Sequence, residues 1–243
     1  MRAIFLKDLG SFFSSLIGYI VLIGFLLILG LITWVFPDSS ILESSYAHLD
    51  PLFSIAPLIF MFLIPALTMR SFAEEYNGGT IELLFTKPIS DLKLVVAKYL
   101  AYLTIVVMAL VPTFIYYYSV YQLGAPKGNI DSGAIFGSYI GLFLLAAVYV
   151  AVGIFSSALT KNQISAFVVG CFLCFLLTWV FDFVSTLPMF YGSLDDLVER
   201  LGIYYHYTAL SKGLVAWKDV IYFLSLTFYF IALTWRVLKL KKA

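Results

Sequence analysis

Residues 134–157 read AIFGSYIGLFLLAAVYVAVGIFSS, without a single charged side chain. As a helix rising about 1.5 Å per residue, such a run crosses the ~30 Å hydrocarbon core of a bilayer. Five further stretches of this kind lie near 15–36, 52–69, 94–121, 163–185 and 219–237. The one at 52–69 is the weakest, because Pro51, Pro57 and Pro65 interrupt it. Proline is tolerated in a membrane helix where neighbours satisfy the carbonyls it frees. Composition agrees: of 243 residues, 62% are hydrophobic and 12% charged, against about 45–50% and about 25% in soluble domains. A water-soluble fold of this size cannot hide so much apolar surface. That excludes a soluble enzyme or nucleic-acid-binding domain and predicts an all-α polytopic membrane protein. A single six-span transmembrane domain over residues 1–243 is expected.

Charge placement sets the expected orientation. With the N-terminus inside, eleven of the 15 Lys and Arg residues fall on the inner side. Only Lys127, Arg200, Lys212 and Lys218 fall outside. Positive charge stays on the cytoplasmic side, so both termini are expected there, and six spans satisfy that parity. Residues 1–15, MRAIFLKDLGSFFSS, can place Ile4, Phe5, Leu9, Phe12 and Phe13 on one face, with Arg2, Lys7, Asp8 and Ser11 mostly opposite. This pattern predicts an amphipathic helix in the cytoplasmic interface.

Two stretches outside the spans carry local structure. At 186–218, Leu194, Leu197, Val198 and Leu201 recur at helical spacing, with Ser193 as a cap and Gly202 as a stop. Short helices at the outer surface are expected there, followed by an aromatic segment suited to the interface. At 70–93 the chain reads RSFAEEYNGGTIELLFTKPISDLK. SFAEEYN is long enough for two helical turns, and Gly78-Gly79 ends them. Thr80 can cap a second short helix with Glu82 in its first turn. Pro88 stops it, and Ser90 can cap the next span. The expected product is a cytoplasmic helical elbow that presents Glu74, Glu75 and Glu82 beside Arg70 and Lys87, with Phe72 and Tyr76 to pack or to dock.

Other signals are weaker. Gly133, Gly137 and Gly141 recur every fourth residue, a spacing that lets helices approach closely. Cys171 and Cys174 have no second Cys pair to join and read as apolar helix residues. Asp182 is the one acid within a span and lies near its outer end. The chain has no phosphate-binding glycine loop, no HExxH, no arginine-rich sensor helix and no selectivity filter. No catalytic residue, metal site or cofactor is therefore expected, and the chain is not read as an enzyme.

The segment EEYNGGTIELLFTKPIS, residues 74–90, resembles the signature of ABC-2 type transporter permeases, an acidic residue followed by Gly-Thr-x-Glu and then Pro-Ile-Ser. FFSSLIGYIV (12–21), LIPALTMRSFAEE (63–75), VYQLGAPKGNID (120–131), GSYIGLFLLAA (137–147) and SALTKNQISAF (157–167) are similar to the gliding-motility-associated permeases of that family in Bacteroidota. The resemblance implies a multi-pass subunit of the bacterial inner membrane. It also implies a coupling helix bearing Arg70, Phe72, Glu74, Glu75 and Tyr76, with Gly79, Thr80, Glu82 and Leu83 following within the signature. Lys161 and Asn162, between spans four and five, are a second possible contact. The implied partners are a GldA-type cytoplasmic ATPase, which would bind the ATP and Mg, and a GldG-type membrane subunit or a second copy of this chain. The implied activity is ATP-driven movement of the spans, with export of a substrate the resemblance leaves open. A non-transporting scaffold, or less readily a secondary transporter, remains as an alternative.

Overall fold

The apolar run 134–157 lies within the longest of the described helices. In the computed structural model, which describes residues 1–44, 46–82, 86, 89–188 and 195–242, this helix covers Ser132–Leu159. Asp131 starts it by accepting the Ala134 N–H at 3.0 Å. Every described element is a helix or a turn, with no strand among the described residues. In chain order the helices are α1 (Arg2–Phe13), α2 (Leu16–Trp34), α3 (Asp50–Thr68), α4 (Arg70–Asn77), α5 (Asp91–Leu110), α6 (Phe114–Leu123), α7 (Ser132–Leu159), α8 (Gln163–Phe175), α9 (Phe181–Ser185), α10 (Asp195–Glu199), α11 (Ile203–Ser211) and α12 (Trp217–Lys242).

Five segments are long and apolar enough to cross a membrane, beginning at Asp50, Asp91, Ser132, Gln163 and Trp217. α1 and α2, which meet at a 69° bend, qualify together as a sixth. The chain is therefore a multi-pass helical bundle with five spans, or the expected six when the bent pair counts as one. Its centre is α7, whose most apolar stretch is 83% buried, whereas those of Gln163–Ser185 and Trp217–Lys242 are 22% buried. The two outer spans thus leave apolar faces for lipid.

Proline shapes two of the spans. Pro57 lacks the N–H that would bond the Phe53 carbonyl. Tyr207 of α11 fills the gap, donating its hydroxyl to Phe53 O at 2.7 Å. Helix α3 stays helical through Pro57 and Pro65. Pro112 divides the third span, which passes from α5 through a 3₁₀ turn at Val111–Thr113 into α6. The fifth span carries a π-helical segment at Leu176–Val180, where Thr178 pairs with the Tyr149 hydroxyl at 2.6 Å.

The short helices expected between the last two spans are α10 and α11. The expected cap and first apolar position, Ser193 and Leu194, lie outside the described residues. Sequence reading missed the anchor of this region. His206 Nδ1 lies 2.6 Å from Asp219 Oδ1, and its Nε2 lies 2.9 Å from the Arg200 carbonyl. The imidazole stacks on Tyr222 at 3.9 Å between centroids. This cluster fastens α11 to the head of α12.

Candidate coupling site

The span that enters the elbow does not stop at its end. Met69 keeps right-handed helical angles, so α4 continues α3 with only a local break. Ser157 of α7 is inserted at that break. Its Oγ accepts from the N–H groups of Phe72 and Ala73 at 3.0 and 3.1 Å. The same hydroxyl donates to Met69 O at 2.8 Å. A side chain inserted into the i to i−4 ladder is a recognised cause of helix bending. Here it also ties the elbow to the central span.

Charge makes a second tie. Lys98 of α5 is 1% exposed. Its Nζ donates to Ser71 O at 2.6 Å, to Glu75 Oε1 at 3.1 Å and to Asp8 Oδ2 at 3.3 Å. It sits 4.9 Å from the centre of the Phe72 ring. An ammonium has three protons, and all three are used. Lys7 approaches Glu75 Oε1 from the outer side at 3.1 Å. One buried cluster thus joins α1, α4 and α5.

The titration of the peripheral members follows from burial. Desolvation raises the Asp8 carboxyl above its ordinary value, more than the Lys98 charge lowers it. For Lys7, burial works to lower the value, but the hydrogen bond and charge of Glu75 outweigh it and the net shift is upward. Tyr76 is pushed up to about 12 by burial, with the Glu75 charge adding to it.

These placements correct two expectations. Asp8 was expected on the polar face of α1, yet it is buried against Lys98. Glu75 was expected among the presented acids of the elbow, yet it too is buried. In both cases a cation on another element draws the carboxylate inward. Phe72 is fully buried, so it packs rather than docks. Tyr76 is half-buried, with Lys241 Nζ 4.4 Å from its ring centre.

What the elbow does expose is Glu74, Asn77, Gly78, Gly79, Thr80 and Glu82. Gly79 takes φ +66°, the turn for which glycine was expected. Thr80 donates from Oγ1 to Glu75 O at 3.5 Å. Beyond it the Thr86 N–H bonds Glu82 O at 3.1 Å. Leu83 and Lys87 lie outside the described residues. Arg70 is half-buried and donates to Ser15 Oγ at 3.3 Å.

Lys161 and Asn162 lie exposed at the same end of the bundle. Asn162 caps α8, accepting the Ile164 N–H at 2.8 Å. Beside it, Lys241 donates to the Ala158 and Leu159 carbonyls at 2.7 and 3.1 Å, closing the end of α7. Burial lowers the Lys241 ammonium from its ordinary value, and Lys161 adds to the effect.

The glycine series lies at the opposite end and is only partly used. Cβ atoms at Gly137 and Gly141 would lie 2.5 Å from Gly213 O and from the Leu210 side chain. Those two let α7 approach α11 and the Gly213 turn that follows it. Gly133 is exposed and touches no other helix, which corrects the expectation for that position. A closer contact between spans lies elsewhere: a Cβ at Gly153 would overlap the Thr68 hydroxyl. Asp182 is half-buried in α9. Among the described residues, no three His, Cys, Asp or Glu side chains converge to hold a metal.

No curated protein matches the chain. The model of the family described as ABC-2 family transporter protein matches residues 36–201, more than half of the sequence, including α3, α4 and the elbow. With that match and a multi-pass bundle whose elbow is built into its core, the chain belongs to the ABC-2 family of membrane transporter permeases.

Proposed function

We propose that this chain is the permease of an ATP-driven complex, and that its α4 elbow receives movement from a separate ATPase and passes it to the spans. Family membership implies an ATPase partner, and the chain's own residues offer no phosphate-binding loop. The observation that carries the reading is mechanical. Helix α4 is continuous with α3, bonded to α7 through Ser157, and clamped to α5 and α1 through Lys98. Displacement of α4 therefore cannot be absorbed locally and moves packed helices as semi-rigid bodies.

On this reading the end bearing α1, α4 and the 160–162 turn faces the cytoplasm of an inner membrane, with both termini inside, as the Lys and Arg distribution requires. The docking surface is Glu74, Gly79, Thr80 and Glu82, with Lys161 and Asn162 alongside. Arg70, Phe72, Glu75 and Tyr76 act behind that surface, holding it in place. The chain bears no catalytic residue, and ATP and Mg belong to the partner.

The finer reading rests on the quoted segments from FFSSLIGYIV to SALTKNQISAF. By them the chain is a GldF-type permease of a gliding-motility complex, working with a GldA-like ATPase. Six spans make half a translocation unit, which a GldG-like subunit or a second copy completes. Substrate export is the activity proposed.

Gentle extraction of the full tagged chain, followed by mass spectrometry and an ATPase assay, tests this. A co-purifying ATPase, released by Glu74→Lys at the exposed rim, supports the docking surface. A homo-oligomer without any ATPase overturns the reading.

A further inference from the structure

Two cavities meet beneath the bend between α1 and α2. One, of about 330 Å³, lies among α1, the start of α2, the end of α3 and α4. The other, of about 440 Å³, is an almost wholly apolar groove between α2 and α3, flanked by Phe167 of α8. Val21 and Ala66 line both, so the two cavities adjoin. The groove runs from Val21 to Ile32 on α2 and from Ala66 back to Ile55 on α3. At about 1.5 Å per residue that is roughly 16 Å. Half of the ~30 Å hydrocarbon core is about the same, so the groove is one leaflet deep.

Its polar end is charged but balanced, with Lys7, Arg70 and Lys98 set against Asp8, Glu74 and Glu75. Three buried polar atoms of its lining residues have no partner: Arg70 Nε, a donor, Glu75 Oε2, an acceptor, and the Ser71 hydroxyl, which can be either. Each such atom costs free energy unless something completes it. Ser15, which holds Arg70, begins α2, and its own side chain makes no cap bond to that helix. The first N–H groups of α2 therefore add to a setting that suits a phosphate. A purely anionic head group would bring no cation to the three carboxylates. A zwitterionic one satisfies the free donor with its phosphate and the free acceptor with its ammonium.

The geometry points to a bound phospholipid with an ethanolamine-type head group. Its phosphate lies on Arg70 and Ser15, its ammonium faces Glu75, and one acyl chain lies between α2 and α3. This requires only that the bundle spans a bilayer, and it does not depend on ATPase coupling.

The full chain, purified in detergent and offered equal amounts of phosphatidylethanolamine and phosphatidylglycerol, is examined by native mass spectrometry. One phosphatidylethanolamine is expected to be retained in preference to phosphatidylglycerol. Arg70→Gln lowers that retention about tenfold, the equivalent of one charge-assisted hydrogen bond. Gly24→Leu is the second variant, because a Cβ at Gly24 meets nothing within 4 Å and the side chain grows into the groove. It lowers retention with the charged end intact and does not depend on how Arg70→Gln folds. Phosphatidylglycerol held as well as phosphatidylethanolamine, no lipid held by the natural chain, or retention unchanged by Gly24→Leu overturns the proposal.

Discussion

Lys98 and Glu75, 23 residues apart in the chain, meet at 3.1 Å between Nζ and Oε1. Both are buried, and the Ser71 carbonyl and Asp8 complete the lysine. A buried ion pair of this kind is weak evidence for stability, but breaking it is costly. Its value here is geometric: it fixes the elbow to a span by a contact that cannot slide.

Lys98→Met is expected to destabilise the chain by about 3–5 kcal/mol, because Asp8 and Glu75 stay buried without their cation. Glu75→Gln added to it should recover part of the loss. Thermal unfolding in detergent, followed by the monodisperse fraction, measures both. If Lys98→Met alone unfolds with the natural protein, the cluster does not hold the junction.

Ser157→Ala removes the acceptor of two N–H groups and the donor to Met69 O. Each buried group left unsatisfied costs about 1–3 kcal/mol. The expected signature is local: faster amide exchange at Phe72 and Ala73, with the external helices unchanged. Uniform exchange across the chain would mean that α4 does not rely on α7.

The Asp8 carboxyl, raised above its ordinary 3.8 by burial against the pull of Lys98, gives a signed pH dependence. The folded chain holds this proton more tightly than the unfolded chain does. Its contribution to stability is therefore full below 3.8 and lost as pH rises through the folded-state value. Asp8→Asn should lose that component, so the stability gap between the variant and the natural protein changes in the acid range and is flat above it. Parallel curves from pH 3.5 to 7 would contradict the assignment.

His206→Phe keeps the stack on Tyr222 but deletes both polar contacts. Asp219 is 1% exposed, and its Oδ2 already has no partner. Removing the imidazole from Oδ1 as well should cost about 3 kcal/mol or more. Proteolysis between α11 and α12 is the sensitive readout, and resistance equal to the natural chain would show that the cluster is not the anchor.

Gly79→Val forces a β-branched residue to φ +66°, at about 1–2 kcal/mol. A Cβ there meets nothing within 4 Å, so the strain falls on the backbone alone. The expected variant inserts normally, keeps the Lys98 cluster and couples poorly to its ATPase. Full coupling would remove Gly79 from the proposed docking surface.

The spans were legible because their signal is local and strong. Any segment as apolar as 134–157 has no stable place in water, whatever its neighbours do. The α4 stop at Gly78-Gly79 and the helix at Asp195–Glu199 were legible for similar reasons of turn chemistry and short-range period. The charged residues were not. Asp8 and Glu75 sit in polar stretches, and a polar stretch predicts exposure. Their burial depends on Lys98, which lies 90 residues from one and 23 from the other. His206 and Asp219 pair across a turn that no periodicity marks.

The sequence by itself determined that this chain is a multi-pass membrane protein, a bundle of five to six apolar spans with an elbow after the one that ends at Thr68. Those properties follow from apolar length, positive-charge bias and the conformational limits of glycine and proline. Only the tertiary structure decided which elbow residues look outward and which clamp inward, and that α2 and α3 enclose a cleft with a charged mouth. A carboxylate's environment is set by the cations that packing brings to it, and neighbours in space need not be neighbours in sequence.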